Sequence, residues 1–207
     1  MGLVNLSRVL LKAREHGYAV GAFNFVNMEV LEGIVDAAAE AHSPVIVQTT
    51  EGAIEYAGIA YLAAMARTAA ERADVDVVLH LDHGKHLETV ILAIRYGYTS
   101  VMIDASDRPY EENLAITKEA VRLAHPLGVS VEAELGRLKG IEDNVSVSDA
   151  GATLVDPDQA GAFVRASGID ALAPAIGTSH GAFKFKGVPR LDLERLRRVA
   201  GLTGIPL

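Results

Sequence analysis

The chain has 207 residues, 50% of them hydrophobic, with a formal net charge of -8 and no cysteine. An acidic chain lacks the basic face that recruits nucleic acid, and without cysteine neither a disulfide framework nor a Cys-ligated zinc is open to it. The segment Met1–Ser7 has no signal-peptide character, and the apolar-or-glycine run Ala57–Ala66 spans ten residues, too few to cross a bilayer. A cytoplasmic protein with no membrane partner is expected.

The elements follow one another regularly. A short helix over Leu6–Glu15 is stopped by Gly17, and the strand Ala19–Phe23 leads to Asn24. Asn27 caps a helix whose Leu31, Ile34, Val35 and Ala38 share one apolar face. Pro44 ends it before the strand Val45–Thr49, and an Ala-rich helix follows over Ile59–Ala73. The apolar run Val77–Leu79 then closes in His80-Leu81-Asp82-His83-Gly84. Next come a helix over Leu87–Tyr96, the strand Ser100–Ile103 with Asp104 at its end, and a helix over Tyr110–His125. Val129–Leu135 is a strand that carries Glu132 and Glu134 on one side. A long loop is expected from Gly136 to Asp156, where a carboxylate before Pro157 starts another helix. The sixth strand, Ala171–Ile176, leads into Gly177-Thr178-Ser179-His180-Gly181. A last helix sets Leu193, Leu196 and Val199 on one face, and Gly204 introduces Ile205-Pro206-Leu207.

Strands alternating with helices at this period mean βαβ units and a parallel sheet. The reading is an α/β fold, a TIM (β/α)8 barrel with six βα units and the start of a seventh strand, as one domain over 1–207. No Gly-x-Gly-x-x-Gly follows the first strand, which weakens a dinucleotide-binding alternative.

In such a barrel the carboxyl ends of all strands meet at one mouth. Asn24, Thr49, Thr50, Asp82, His83, Asp104, Glu134 and His180 each stand at or just past the carboxyl end of a predicted strand. Two histidines with three carboxylates point to a divalent ion of the zinc class. His83 and His180 are the imidazole candidates; His16, His42, His80, His86 and His125 lie at helix ends or inside a strand. Gly181 permits close backbone approach to an anion, with Lys184 and Lys186 nearby. Glu142 lies on the long loop, where a lid could carry an acid or base.

The segments Gly21–Asn24, Pro44–Gln48, His80–Gly84, Val101–Asp104, Val131–Gly136 and Gly177–Gly181 together resemble the class II, metal-dependent fructose- and tagatose-bisphosphate aldolases. The resemblance implies reversible aldol cleavage of fructose 1,6-bisphosphate to dihydroxyacetone phosphate and glyceraldehyde 3-phosphate through a zinc-stabilised enediolate. It implies Asp82 as acid/base, Glu142 as lid carboxylate, and His83 and His180 as ligands of Zn2+, with Co2+ as a substitute. Asp104 and Glu134 match positions for a second or alternative metal, so a further divalent or monovalent cation is expected beside the first. Asn24, Thr50, Gly181 and Lys184 match substrate-binding positions, the last two near a phosphate. A homodimer or homotetramer is the assembly implied.

Members of that family run on past the position of Leu207, where the third zinc-binding His and the main phosphate loops lie. The chain is therefore read as the first two-thirds of such an aldolase. Tagatose 1,6-bisphosphate is the alternative substrate, a barrel metal-dependent hydrolase the rival enzyme, and a non-catalytic sugar-phosphate-binding fragment the rival outside enzymes. A Schiff-base lysine is disfavoured because no Lys falls inside a predicted strand.

Overall fold

The computed structural model describes the chain except residues 1, 137–138, 143–144, 148–152, 178 and 181–189, with backbone alone at 139–142, 145–147 and 179–180. In order, the elements are α1 (Leu6–His16), β1 (Gly21–Asn24), α2 (Met28–Glu40), β2 (Val45–Thr49), α3 (Glu51–Ala57) and α4 (Ile59–Arg72). There follow β3 (Val77–Gly84), α5 (Leu87–Arg95), β4 (Ser100–Ile103), α6 (Tyr110–Ala124) and β5 (Ser130–Leu135). The chain continues through β6 (Lys139–Glu142), β7 (Val145–Val147), α7 (Pro157–Ser167), β8 (Ala171–Pro174), β9 (Ser179–His180) and α8 (Leu193–Thr203).

The strands β1, β2, β3, β4, β5 and β8 pair in parallel, each beside its neighbour in sequence. One cavity of about 330 Å3 is lined from all six, by Ala22, Gln48, His80, Met102, Glu132 and Ala173 among others. A flat sheet cannot wrap a single cavity, so this one curls as the wall of a TIM-type barrel.

Period-two alternation decides which side chain faces which layer. On β3, Val77, Leu79 and Leu81 are fully buried in the core shared with the surrounding helices. Val78 instead joins Ile46, Ala171, Leu6 and Val9 in a smaller cluster, where α1 closes the floor. His80 and Asp82, the next two inward residues, line the cavity above it. Burying each Leu or Val contributes about 1.5–3 kcal/mol. A polar tie completes the floor: Ser7 Oγ lies 2.9 Å from Ser130 Oγ and donates to Asp170 at 3.0 Å. The Val131 amide donates to the same carboxylate at 2.7 Å.

The helix signals act as the sequence suggests. Asn27 accepts from the Val30 amide, and Asp156 accepts from the amides of Asp158 and Gln159 ahead of Pro157. Gly17 and Gly204 end their helices at φ 72° and 70°, a conformation that costs glycine little.

Four expectations need correction. The helix α3 was not expected; it forms because Thr50 caps it, accepting from the Ala53 amide at 3.1 Å. The Gly136–Asp156 stretch is not wholly loop, since β6 and β7 pair antiparallel and β9 joins β6 in parallel. Its alternating Ile141, Val145 and Val147 carry that signal. Lys139 lies in a strand after all, though in β6 and outside the barrel wall. Ile205–Leu207 forms no strand of its own, but the Pro206 carbonyl accepts from the Leu172 amide of β8 at 3.1 Å.

Candidate active site

An irregularity in β3 organises the mouth of the barrel. Leu81 pairs with Val101 of β4, and the next pair is Gly84 with Ile103. Three steps on one strand therefore face two on the other, which is a β-bulge. His83 absorbs the extra residue at φ 48°, a region that few residues other than glycine adopt. In an unbroken strand Asp82 and His83 would face opposite sides. The bulge instead sets Asp82 Oδ1 4.0 Å from His83 Nε2, so the expected divergence of these neighbours does not occur. Gly84 permits this geometry, because a Cβ there would stand 2.8 Å from the Met102 carbonyl oxygen.

Around the bulge, His83 Nδ1 lies 2.8 Å from Asp104 Oδ2 and 3.7 Å from Glu134 Oε2. Lys85 Nζ reaches Asp104 Oδ2 at 2.5 Å, and Asp104 Oδ1 accepts from the Ser106 amide at 3.0 Å. Asn24 donates through Nδ2 to Asp82 Oδ2 at 2.8 Å and accepts through Oδ1 from Gln48 Nε2 at 3.0 Å. Behind the cluster, buried Asn113 donates to the Glu134 carbonyl at 2.9 Å and accepts from Thr117 at 3.1 Å.

The charges are strongly coupled. Burial alone would lower the His83 pKa, but its hydrogen bond to Asp104 and the charges of Asp82, Glu134 and Asp104 prevail, raising it to about 9. Burial works against the Asp104 carboxylate too, yet His83 and the Lys85 ammonium hold its pKa well below the usual range. Deeper in the barrel, burial and the charge of His83 push His80 down to about 3. This neutral ring sits 2.8 Å from Ser100 Oγ. Glu132, beside it, is raised to about 7 by burial and by Asp82.

The structure thus joins Asn24, Asp82, His83, Asp104 and Glu134. Thr50 stands at the end of β2 as the cap of α3. The backbones of Glu142 and His180 lie in β6 and β9, which pair with each other at Gly140 and His180. Gly181 and Lys184 lie outside the described residues. Gln48, Lys85 and Asn113 were missed as site residues. Gln48 was legible as an inward partner of Ile46 two positions before it, and Asn113 as a polar residue in line with Thr117 and Ala120 on a buried helix face.

The sequence pattern of fructose-bisphosphate aldolase class-II matches residues 4–207. The chain belongs to that family. A fructose-bisphosphate aldolase of Helicobacter pylori is 57% identical over 206 residues, covering 99% of this chain and 67% of the relative. One from Giardia intestinalis is 50% identical, covering 100% and 64%. The crystal structure of the YdjI aldolase of Escherichia coli K12 superposes with a TM-score of 0.87 at 38% identity, over 99% of this chain and 71% of that one. The chain spans about two-thirds of the length of these curated relatives.

Class II aldolases are metal-dependent, and the donor set fits a metal. Ligand atoms of His83, Asp104 and Glu134 lie within 4.8 Å of one another. One imidazole and two carboxylates are the donors that divalent ions of the first transition row and zinc accept. Among the described residues no helix is long and apolar enough to cross a membrane.

Proposed function

We propose that the chain performs aldehyde-lyase chemistry, the reversible cleavage of fructose 1,6-bisphosphate between C3 and C4 to dihydroxyacetone phosphate and glyceraldehyde 3-phosphate. The observation that carries this reading is the convergence of Asp82, His83, Asp104 and Glu134 at the mouth, in a chain whose curated relatives are named for that substrate.

Zinc is the ion we assign, with cobalt as a substitute, held by His83 and His180 with Glu134 and Asp104 beside them. When bound, it supplies a Lewis acid for the C2 carbonyl oxygen of the substrate. Asp82 takes the proton of the C4 hydroxyl in cleavage and returns it in condensation. Loss of that proton releases the C3–C4 bond, whose electron pair passes toward the C2 carbonyl. Glu142 then delivers a proton to C3, and removes it in the reverse direction. Each proton transfer of this kind contributes about 10²–10⁴-fold.

Asn24 orients Asp82 and contacts the substrate. Thr50 accepts the Ala53 amide, so its own hydroxyl proton serves a substrate oxygen. Gly181 and Lys184 take a phosphate, one by close backbone approach and the other by charge. The core that runs continuously from Phe25 to Val199 supports one domain over 1–207. Tyr56 and Tyr61, 80% and 74% exposed, support assembly as a homodimer or homotetramer. Multiply charged sugar phosphates do not cross membranes unaided, which supports a cytoplasmic site for the reaction.

The test is incubation of the purified protein with fructose 1,6-bisphosphate and, in parallel, tagatose 1,6-bisphosphate. Release of triose phosphates, stopped by a chelator, is the expected result. Release of inorganic phosphate would point to the hydrolase, and ligand binding without turnover to a non-catalytic module.

A further inference from the structure

Lys85 is the first residue past the bulge, and both ends of it are fixed. Its amide donates to Glu51 Oε1 at the start of α3 at 3.0 Å. Its ammonium lies 2.5 Å from Asp104 Oδ2, the same oxygen that His83 Nδ1 approaches at 2.8 Å. The Lys85 side chain is 23% exposed and that of Asp104 only 4%. The partner is therefore a desolvated carboxylate, which sets this pair apart from the solvated ion pairs that contribute little.

Among the described residues, the surroundings are short of positive charge. Asp82, Asp104 and Glu134 place three carboxylates around one imidazole. A cation resting on Asp104 offsets part of that excess, and a tethered ammonium is always present at high effective concentration. A diffusing ion competing for this oxygen must displace it.

We infer that Lys85 is a built-in cation: its ammonium occupies at Asp104 the place a second metal or monovalent ion would take. The mouth then binds one exchangeable divalent ion, and it stays ordered when that ion is removed. This rests on the metal-centre reading above and deepens it, since it sets the stoichiometry of the site.

The experiment compares the wild-type protein with Lys85→Met, which keeps the length of the side chain and removes the charge, and with Lys85→Arg, which keeps the charge. All are stripped with a chelator, melted, and titrated with Co2+ by calorimetry. Metal-free Lys85→Met should melt below the wild type, and cobalt should raise its melting temperature more. It should also bind a second Co2+ at least about tenfold more tightly than the wild type does, with Lys85→Arg behaving as the wild type. Adding Asp104→Asn to Lys85→Met should abolish the second site. Unchanged melting with unchanged cobalt stoichiometry and affinity in Lys85→Met would overturn the inference. If cobalt binds neither protein, the metal-centre reading fails by itself. The metal-free melts then decide for Lys85: a loss that arginine restores supports the built-in cation, and no loss overturns it.

Discussion

Asn24 and Asp82, 58 positions apart in the chain, are joined by a 2.8 Å hydrogen bond from Nδ2 to Oδ2. The direction of that bond is set from behind, because Gln48 donates to the carbonyl end of the Asn24 amide. An amide anchored at its oxygen must turn its nitrogen toward the carboxylate. Gln48, on the strand between them, thereby orients Asp82 through Asn24.

Gln48→Leu should release the Asn24 amide and let it flip. We expect kcat to fall by roughly 10–100-fold, the usual cost of losing an outer orienting partner, with a smaller change in KM. Steady-state kinetics on the aldol cleavage decide this, and an unaltered kcat would return Gln48 to a packing role.

Asp82→Ala should lower kcat by about 10²-fold or more while the purified variant keeps its metal. Metal analysis beside kinetics separates the two functions. Loss of metal together with activity would place Asp82 in the coordination shell.

Gly84→Ala adds a methyl group 2.8 Å from the Met102 carbonyl and 2.9 Å from Leu81 Cδ2. The first of these is backbone and cannot swing away, so the bulge must shift. A loss of about 1–3 kcal/mol in urea unfolding is expected, with weaker metal binding because His83 is carried on the bulge. Full stability would show that the strand tolerates the collision.

A chelator should abolish turnover, and zinc or cobalt should restore it. Borohydride with dihydroxyacetone phosphate should trap no lysine adduct. A trapped adduct with chelator-insensitive turnover would sink the metal mechanism.

Glu142→Ala should slow exchange of the reactive proton of dihydroxyacetone phosphate far more than it weakens binding of that ligand. Proton exchange followed by NMR is the readout. An unchanged exchange rate would make Glu142 a surface carboxylate of the β6–β7 hairpin.

Much of the architecture could be read without coordinates, because local signals and global fold agree. The alternation in Val77–Asp82 already separates a helix-facing row from an inward row, and Asn27 and Asp156 mark helix starts where helices start. Asp82, Asp104 and Glu134 were found because a carboxylate ending an apolar run has no packing reason to be there. The bulge could not be read: a histidine at φ 48° is spelled like any other, and Gly84 after it suggests only a turn. Lys85 escaped notice because a charge on a loop is ordinary until its partner is known. The β6–β7 hairpin was hidden by the glycines and acidic residues around it, which weigh a window toward loop.

The floor tie has a consequence for the order of folding. Every barrel strand pairs with its sequence neighbour, so the wall can grow one βα unit at a time as the chain emerges, N-terminal end first. The helix α1 is an exception. Its Ser7 contacts Ser130 and Asp170, 123 and 163 positions downstream, and neither exists when α1 is made. The polar tie of the first helix must therefore wait until Ser130 and Asp170 are in place, although its Leu6 and Val9 can rest earlier against Ile46 and Val78. The hydrogen bonds of Ser7 are thus a late event that locks the floor under a wall already built.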